Sequence, residues 1–535
     1  MQAKKTTYHF HSLSRVLLVI GIVVFINVLI SPIAVRFDMT QGKIYTISRS
    51  TKKIVNNLKK PVTLKVYISD PQELPDDKIS IRQDVLDLVD EYKKIGGSNI
   101  IIEKINPTGN DTLTQEAMSY GIVPLQGGLS KQTEIAIKLY FAGIAIAYED
   151  ASIAIPEITD ISNLEYEIIA GINKLTREKV PSIGIVSGHD ETLLADIQEA
   201  LKKEYDVKDI ATTNLVAIPD SYDVLIIAGP KKDFSEIEKY ALDQFVMRGG
   251  KLAILMDGVD INDDYLMATP GNLSLNSLLE AYGVKVNSDV VLDPYSNAFL
   301  PFRSSDNGGG LLMKYPAFPV IMHDGFSKEN VISGKLFSMS FPFPSSLTVA
   351  KRNAETKIVE LVKTSGESFA IDGNNAILSP DQINKMPATN KKEHTLAVLI
   401  TGAIDSAFKG KSIPGKDAAP NDFIPDMVAG NIFVISSNRF LNVDYMKYLI
   451  NSMQTLSENF ILFANAIDVL AQGDALVDIR SRNLANRPLN PVTEQNASYI
   501  KYGNILAGAV LSLLVGGIAY FKRKHDGKKA RERYI

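Results

Sequence analysis

The sequence predicts an α/β protein whose mass lies outside the cytoplasm, flanked by one transmembrane helix near each terminus. Three observations support this: two apolar segments with basic flanks, a strand–helix–strand pattern after the first, and fully apolar strands alternating with amphipathic helices in mid-chain. The 535 residues suffice for about three domains. Hydrophobic residues make up 45% of the chain, so it can bury real cores.

Residues 16–35 form an uncharged apolar segment of the length, about 20 residues, that a helix needs to cross a bilayer. Basic residues precede it. A cleaved signal peptide is the alternative, but the apolar run is longer than a usual signal core and Pro32 is poorly placed for cleavage after Ala34. We therefore predict a retained transmembrane helix at 16–35, after a cytoplasmic tail at 1–15.

Residues 505–521 form a second, shorter apolar segment, which a strongly basic tail at 522–535 follows directly. A buried core helix is the alternative, and the basic run argues against it. Basic flanks stay in the cytoplasm, and both flanks lie on the outer sides of the two segments. We therefore predict a two-pass protein of the bacterial inner membrane, with both termini cytoplasmic and the bulk of the chain periplasmic.

Small and polar residues in the two predicted membrane helices indicate contacts with other helices. Gly508, Ser512 and Gly516 recur every four residues, a stripe that lets another helix approach closely. Asn27 places a polar group in hydrocarbon, where it needs a partner. Two interpretations stay open: the two helices pair with each other, or they dock onto a separate transmembrane subunit.

Residues 36–176 are predicted to form an N-terminal α/β domain of βαβ type. A strand with period-two alternation begins at Val62, and a segment with helical spacing follows and stops at Gly96. A second strand begins at Asn99. The apolar runs at 134–148 and 152–158 each predict a strand, with a hairpin turn at 149–151, and a helix around 164–175 closes the domain.

Residues 177–260 and 393–485 are predicted to form a central, doubly wound, Rossmann-like domain. Its strands are apolar on both faces, which is typical of a parallel sheet covered on both sides. The predicted strands, which we expect in one sheet, are 182–187, 224–228, 252–256 and 432–435. The predicted covering helices are 193–205, 237–246 and 460–470.

Residues 261–392 differ from the flanking segments in composition, because they are rich in proline, glycine, serine and asparagine. We predict a β-rich insertion that protrudes from the central domain. Its loops are a candidate partner-binding surface, since loops on a rigid scaffold commonly carry recognition. Residues 486–504 then form a polar linker to the second membrane helix.

The loops that end the buried strands carry a candidate ligand or partner site. Its residues are Ser187, Gly188, His189, Asp190, Gly229, Pro230 and Asp257. Because ligands bind at the carboxyl ends of parallel strands, these loops are expected to line one edge, where helix amides could hold an anion. The alternative is that Asp190 caps the next helix and the glycines only make turns.

Composition and motifs exclude several functions. Without cysteine there are no disulfides, thiolate metal sites or cysteine nucleophiles. The net charge of −4 gives no reason to expect a nucleic-acid partner, and only His9 and His11 have ligand spacing, so we expect no metal and no cofactor. Gly410-Lys411-Ser412 lacks the earlier glycine of a phosphate loop, and there is no G-x-S-x-G elbow.

Nearly the whole chain resembles the gliding-motility-associated auxiliary component of ABC transporters, the GldG family. The similar stretches include KPVTLKVYISD, YGIVPLQ, SGHDE, YDVLIIAGP, GGKLAILMD, LLEAYGVKVNSDVVLDP, ITGAIDSAFKGK, NRFL and ENFILFANAIDVLAQGDALVDIRSRNLANRPL. The resemblance implies a substrate-binding or auxiliary subunit that works with a separate ATPase and a separate permease. It also implies a central domain shared with an intraflagellar-transport protein and related to amidotransferase-like folds, whose nucleophilic cysteine this chain lacks.

We therefore predict a non-catalytic, membrane-anchored auxiliary or substrate-binding subunit of an ABC transporter, linked to gliding motility. Its expected partners are the permease, the ATPase and the membrane, with other cell-envelope proteins as further candidates. One alternative is a structural cell-envelope scaffold of a motility or secretion machine. Another is a membrane-anchored hydrolase that uses His189 and carboxylates.

Overall fold

The computed structural model describes residues 47–473 and residue 477, except 132–133, 160, 162, 214, 304–309, 351–354, 415–422 and 447–451. The predicted membrane helices at 16–35 and 505–521, with Asn27, Gly508, Ser512 and Gly516, lie outside the described residues. So do the predicted tails at 1–15 and 522–535 and the linker at 486–504. Within the described ranges, no helix combines the length and the apolar character needed to cross a bilayer.

The described residues of the N-terminal region form six strands and four α-helices. The strands are β1 (Val62–Ile68), β2 (Ile100–Ile105), β3 (Leu125–Lys131), β4 (Glu134–Tyr140), β5 (Ala142–Tyr148) and β6 (Ala151–Ile155). The helices are α1 (Arg49–Asn56), α2 (Asp76–Gly96), α3 (Asp111–Ser119) and α4 (Leu164–Thr176). Strands β2, β1, β5 and β6 form one sheet in that order, and apolar residues of α2 and α4 share its core.

The local patterns of this region are mostly confirmed. Strands β1 and β2 pair in parallel across α2, as the predicted βαβ unit requires. Strands β5 and β6 form the predicted hairpin, with Glu149 in its turn at a φ of 54°. The prediction of a single strand over 134–148 is wrong. This range contains two strands, because β4 ends at Tyr140 and pairs with β3, whereas β5 pairs with β1.

The remaining elements follow in chain order. They are β7 (Ser182–Ser187), α5 (Ala195–Lys202), β8 (Asp206–Ala211), β9 (Val224–Ala228), α6 (Glu236–Met247), β10 (Lys251–Leu255), β11 (Val259–Asn262), β12 (Met267–Pro270), α7 (Asn276–Ala281), β13 (Val284–Val286), β14 (Asp289–Leu292), β15 (Asn297–Arg303) and β16 (Gly310–Met322). Then come β17 (Ser338–Ser340), β18 (Leu347–Val349), β19 (Thr356–Lys363), β20 (Phe369–Asp372), β21 (Ala376–Ile377), α8 (Pro380–Ile383), β22 (Thr395–Asp405), β23 (Asp426–Ile435), α9 (Val443–Met446) and α10 (Ser452–Gln472).

A nine-stranded sheet joins the two ends of this second region. Its order is β13-β18-β22-β23-β10-β9-β7-β8, and β19 also pairs with β22. The neighbours β8, β7, β9, β10 and β23 are all parallel. The prediction that the four apolar strands share one sheet is therefore confirmed.

Helices cover both faces of the parallel strands. One face packs Ile183, Ile226 and Phe433 against apolar residues of α5 and α10. The other packs Leu225 and Ile254 against α6 and α7. All side chains of β9 are buried, as expected for a strand enclosed between two layers.

Residues 261–392 do not protrude as a whole, contrary to the prediction. Strands β13, β18 and β19 come from this range and extend the large sheet through β22. The remaining strands of the range form the small sheets β11-β12-β21, β14-β20 and β15-β16-β17, so it is β-rich as predicted. The domain boundaries at 260 and 393 remain predictions.

Candidate functional site

The strand order locates the candidate site. The chain runs from β7 outward to β8 and then returns to β9 on the opposite side of β7. In open parallel sheets, ligands bind at the carboxyl ends of the strands where the chain diverges in this way. The candidate loops follow β7, β9 and β10, so all of them lie along this edge.

The side chain of His189 lies in the loop after β7, at the place where the chain leaves toward β8 and later returns to β9. The ring is buried and stacks on Phe234, with the two ring centroids 3.7 Å apart. Its Nδ1 lies 3.1 Å from Glu191 Oε1, and its Nε2 lies 3.4 Å from Glu238 Oε2. Both carboxylates are buried as well. The ring nitrogens therefore face carboxylates of the same chain and hold the loop in place.

Backbone contacts join the loop after β7 to the loop after β9. The carbonyl oxygen of His189 accepts hydrogen bonds from the amides of Lys231 and Lys232, at 2.8 and 3.0 Å. Gly188 has a φ of 121°, and a Cβ there would lie 2.2 Å from Thr213 Oγ1. Only glycine fits this turn.

A second polar cluster lies at the ends of β10 and β23. The Asp257 carboxylate accepts a hydrogen bond from the amide of Asn438 at 2.8 Å and pairs with Arg439 Nη1 at 3.1 Å. Lys231 Nζ lies 3.5 Å from Asp257, which connects this cluster to the loop after β9. Because Asp257 and Arg439 are both largely buried, each charge is stabilised by the opposite charge of the other side chain.

Asn438 connects three of the loops. Its side-chain amide donates a hydrogen bond to the carbonyl oxygen of Thr192 at 2.9 Å. Gly229 has a φ of 61°, and a Cβ there would lie 2.6 Å from Asn438 Nδ2. Glycine is therefore needed both for the backbone conformation and for the approach of Asn438. The loops after β7, β9, β10 and β23 form one connected edge.

The structure brings the predicted site residues to this edge, although not in the predicted arrangement. Asp190 does not cap a helix, because α5 begins only at Ala195 and its N-cap position, Leu194, makes no side-chain bond. Asp190 pairs instead with Lys232 at 3.0 Å. The helix amides proposed as an anion site thus begin beyond the loop of Ser187 and His189, because residues 191–194 precede the first turn.

Several residues of the edge were missed in the sequence. Asn438 and Arg439 directly follow the last parallel strand, and this position is the signal that could have found them. Glu238 also carried a signal, since Ser235 and Glu238 form a capping box at the start of α6. Nothing in the local sequence indicates that Lys231 reaches Asp257.

The charged side chains of this edge contact one another: His189 faces Glu191 and Glu238, and Asp257 pairs with Arg439. Among the described residues, no three histidine or acidic side chains are arranged to hold a metal ion.

Comparison with known proteins shows the family to which the chain belongs. Residues 180–471, more than half of the chain, match the family model described as an ABC-type uncharacterized transport system. The chain belongs to this family. The region before it matches a second family model over residues 41–147, described as a domain of unknown function, DUF7088. As a member of the transport-system family, the chain is assigned to ABC-type transport as an auxiliary component.

Two further similarities are more distant. An uncharacterized protein of Borreliella burgdorferi is 24% identical over 502 residues, which cover 91% of this chain and 93% of the relative. The mmIFT52 N-terminal domain matches 55% of this chain and 98% of its own length, with 16% identity and a TM-score of 0.32. At that TM-score the similarity supports no conclusion about the fold.

Proposed function

We propose that the chain is a non-catalytic auxiliary subunit of an ABC transporter and works with a separate ATPase and a separate permease. Family membership supports the transport role. The observation that supports a non-catalytic role is the fixed edge of the sheet, where His189 lies between Glu191 and Glu238. The resemblance to the GldG family supports a role in gliding motility.

We also propose that the chain is anchored in the inner membrane by residues 16–35 and 505–521. The length of these apolar segments and the basic residues outside them support two crossings with cytoplasmic termini. A reporter that is active only in the cytoplasm should work when fused after Ile535. The same reporter fused after residue 60 should be inactive, and the reverse pattern would refute this topology.

Co-purification tests the transporter role. The full chain is purified from its native membrane in mild detergent, and the associated proteins are identified by mass spectrometry. We expect an ATPase and a multi-helix permease in reproducible, near-stoichiometric amounts. A tagged, unrelated two-pass membrane protein serves as the control. Recovery of envelope components without ATPase or permease would refute the proposal and support the scaffold alternative.

A further inference from the structure

The exposed side of α1 is basic. Arg49, Lys52 and Lys53 are exposed, whereas Thr51 and Val55 of the same helix are buried. The three cations have the i, i+3 and i+4 spacing that places side chains on one face of a helix. None of them forms an ion pair with a residue that the structure describes. These three residues, here called the basic face of α1, therefore present uncompensated positive charge.

Hydrogen bonds and packing fix the opposite side of α1 to the N-terminal region. The side chain of Ser48 caps the helix by accepting a hydrogen bond from the amide of Thr51. The buried Glu165 carboxylate of α4 accepts hydrogen bonds from the Ser48 amide at 2.8 Å and the Thr51 hydroxyl at 2.6 Å. Val55 has no accessible surface and shares a core with residues of α2 and α4. Helix α1 therefore keeps its basic face turned outward.

Helix α4 holds the chain at both ends of the described part. Glu165 holds the start of α1, and Asn173 Nδ2 donates a hydrogen bond at 2.8 Å to Oε1 of Gln472, the last residue of α10. The two attachment points lie about 12 Å apart along α4, at a rise of about 1.5 Å per residue. The chain runs from them to the predicted membrane helices at 16–35 and 505–521. Both connections to the membrane therefore start beside one helix.

The first of these connections is short. Only residues 36–46 separate the predicted membrane helix at 16–35 from Ile47. An extended chain advances at most about 3.6 Å per residue, so Ile47 lies within about 45 Å of the end of that helix. Basic segments next to a membrane anchor are attracted by anionic phospholipids. Helix α1 is the first described helix after the anchor, and it carries the charge that such lipids attract.

Two lysines that follow α1 are paired with acids of neighbouring segments. Lys59 pairs with Glu178, and Lys60 pairs with Glu149. These two acids are therefore matched by other cations and do not neutralise the basic face of α1.

We propose that the basic face of α1 binds the headgroups of anionic phospholipids, so that the side of the body that carries α1 and α4 lies against the bilayer. This inference rests on the proposed anchor at 16–35, but it does not depend on the orientation of the chain across the membrane. A lipid surface fits better than a small soluble anion, because the three cations are spread over an outward helix face and the anchor brings lipid within reach.

A single fluorescent probe measures the contact on the full chain in lipid nanodiscs. Because the chain has no cysteine, Asn56→Cys creates one labelling site, and Asn56 is exposed four residues after Lys52 on the same face. The discs contain phosphatidylcholine alone or an equal mixture with phosphatidylglycerol, and both contain a headgroup-labelled lipid that quenches the probe. We expect at least about twofold stronger quenching in the anionic discs, and the excess should fall at high salt because exposed charges are screened.

Matched variants assign the effect to the basic face. The test variant combines Arg49→Gln, Lys52→Gln and Lys53→Gln, and glutamine keeps the helix because its propensity is close to that of lysine and arginine. It should lose the difference between the two kinds of disc. The control variant removes the same charge from three exposed lysines of the second region and should keep the difference; its substitutions are Lys357→Gln, Lys385→Gln and Lys411→Gln. Circular dichroism identifies any variant that fails to fold, and the comparison of lipids without these variants stands by itself.

The outcomes separate this inference from the proposed function. Equal quenching in the two kinds of disc, or a folded test variant that keeps the difference, would overturn the lipid contact and leave the anchor intact. A chain that does not enter the discs would refute the anchor and this inference with it. A probe that responds only when a co-purified permease is added would overturn the lipid contact and identify a protein surface as the partner. Co-purification decides the transporter role separately.

Discussion

Asp243 is a carboxylate without accessible surface, in the middle of α6. Its oxygens accept hydrogen bonds from the Tyr282 hydroxyl at 2.9 Å, the Ser406 hydroxyl at 2.6 Å, the Ala407 amide at 2.7 Å and the Gln244 side chain at 3.0 Å. Asp243→Ala leaves these buried donors without their acceptor. We expect the free energy of unfolding to fall by about 3 kcal/mol, because each unsatisfied buried group costs about 1–3 kcal/mol.

Denaturant unfolding followed by circular dichroism measures this loss. Asp264→Ala is the control, because Asp264 is exposed, and it should change the free energy of unfolding by less than about 0.5 kcal/mol. If the two variants were equally stable, the four hydrogen bonds would not be what holds the turn after β22 to α6.

His394 makes stability depend on pH. Burial is the main cause that lowers its pKa below the usual 6.5, and Lys392 adds to this, while Asp289 and Asp293 oppose it. The folded state therefore prefers the neutral ring, whereas the unfolded chain takes up a proton as the pH falls below about 6.5. Stability is lost as the pH falls from 6.5 toward the lowered pKa. His394→Gln removes this contribution, so the variant should lose less stability than the parent between pH 7 and 5.5.

Chemical denaturation of both proteins at several pH values gives the difference directly. Titrating groups that do not interact with His394 contribute equally to the two proteins and cancel in this difference. A difference that does not vary with pH would contradict the assignment to His394.

At the scale of elements, the Asp257–Arg439 pair ties the loop after β10 to the loop after β23. Arg439→Met removes the closer cation and leaves the largely buried Asp257 carboxylate with Lys231 at 3.5 Å as its remaining cationic partner among the described residues. We expect the free energy of unfolding to fall by about 3 kcal/mol, since an unpaired buried charge is costly. Urea unfolding measures this fall.

Arg248→Met provides the matched control. Arg248 pairs with Asp220 at 2.8 Å, but the Asp220 side chain is 82% exposed. Removing an exposed pair costs about 0–1 kcal/mol. Similar losses of unfolding free energy in both variants would show that burial of the Asp257–Arg439 pair does not increase its contribution to stability.

At the scale of the whole molecule, one sheet is built from distant parts of the chain. Strand β10 pairs with β23 over Leu252–Ile432 to Leu255–Ile435, so a cut between Arg303 and Gly310 leaves pairing strands on different fragments. A protease site placed there should give fragments that co-elute without denaturant. Ile254→Asp, a charge introduced opposite Val434, should weaken this association. Association unaffected by Ile254→Asp would assign it to other contacts, such as the proposed membrane helices.

The sequence by itself determined the α/β class, the βαβ unit, the four apolar strands of one sheet and the edge at which the candidate loops meet. These features follow from local patterns, because a fully apolar run reports burial on both faces and an alternating run reports one buried face. The same patterns could not predict that β13 and β18 join the sheet, since strands of three residues are too short to show a period.

Only the tertiary structure decided which side chains contact one another at the carboxyl edge of the large sheet. His189 meets Glu238, and Asp257 meets Asn438 across 181 residues of sequence, contacts that no local pattern specifies. A cavity beside Tyr445 likewise arises where side chains from separate segments leave space between them. The physical reason is that burial of apolar residues is encoded locally, whereas the partners of buried charges and the shape of a cavity depend on which segments the fold brings together.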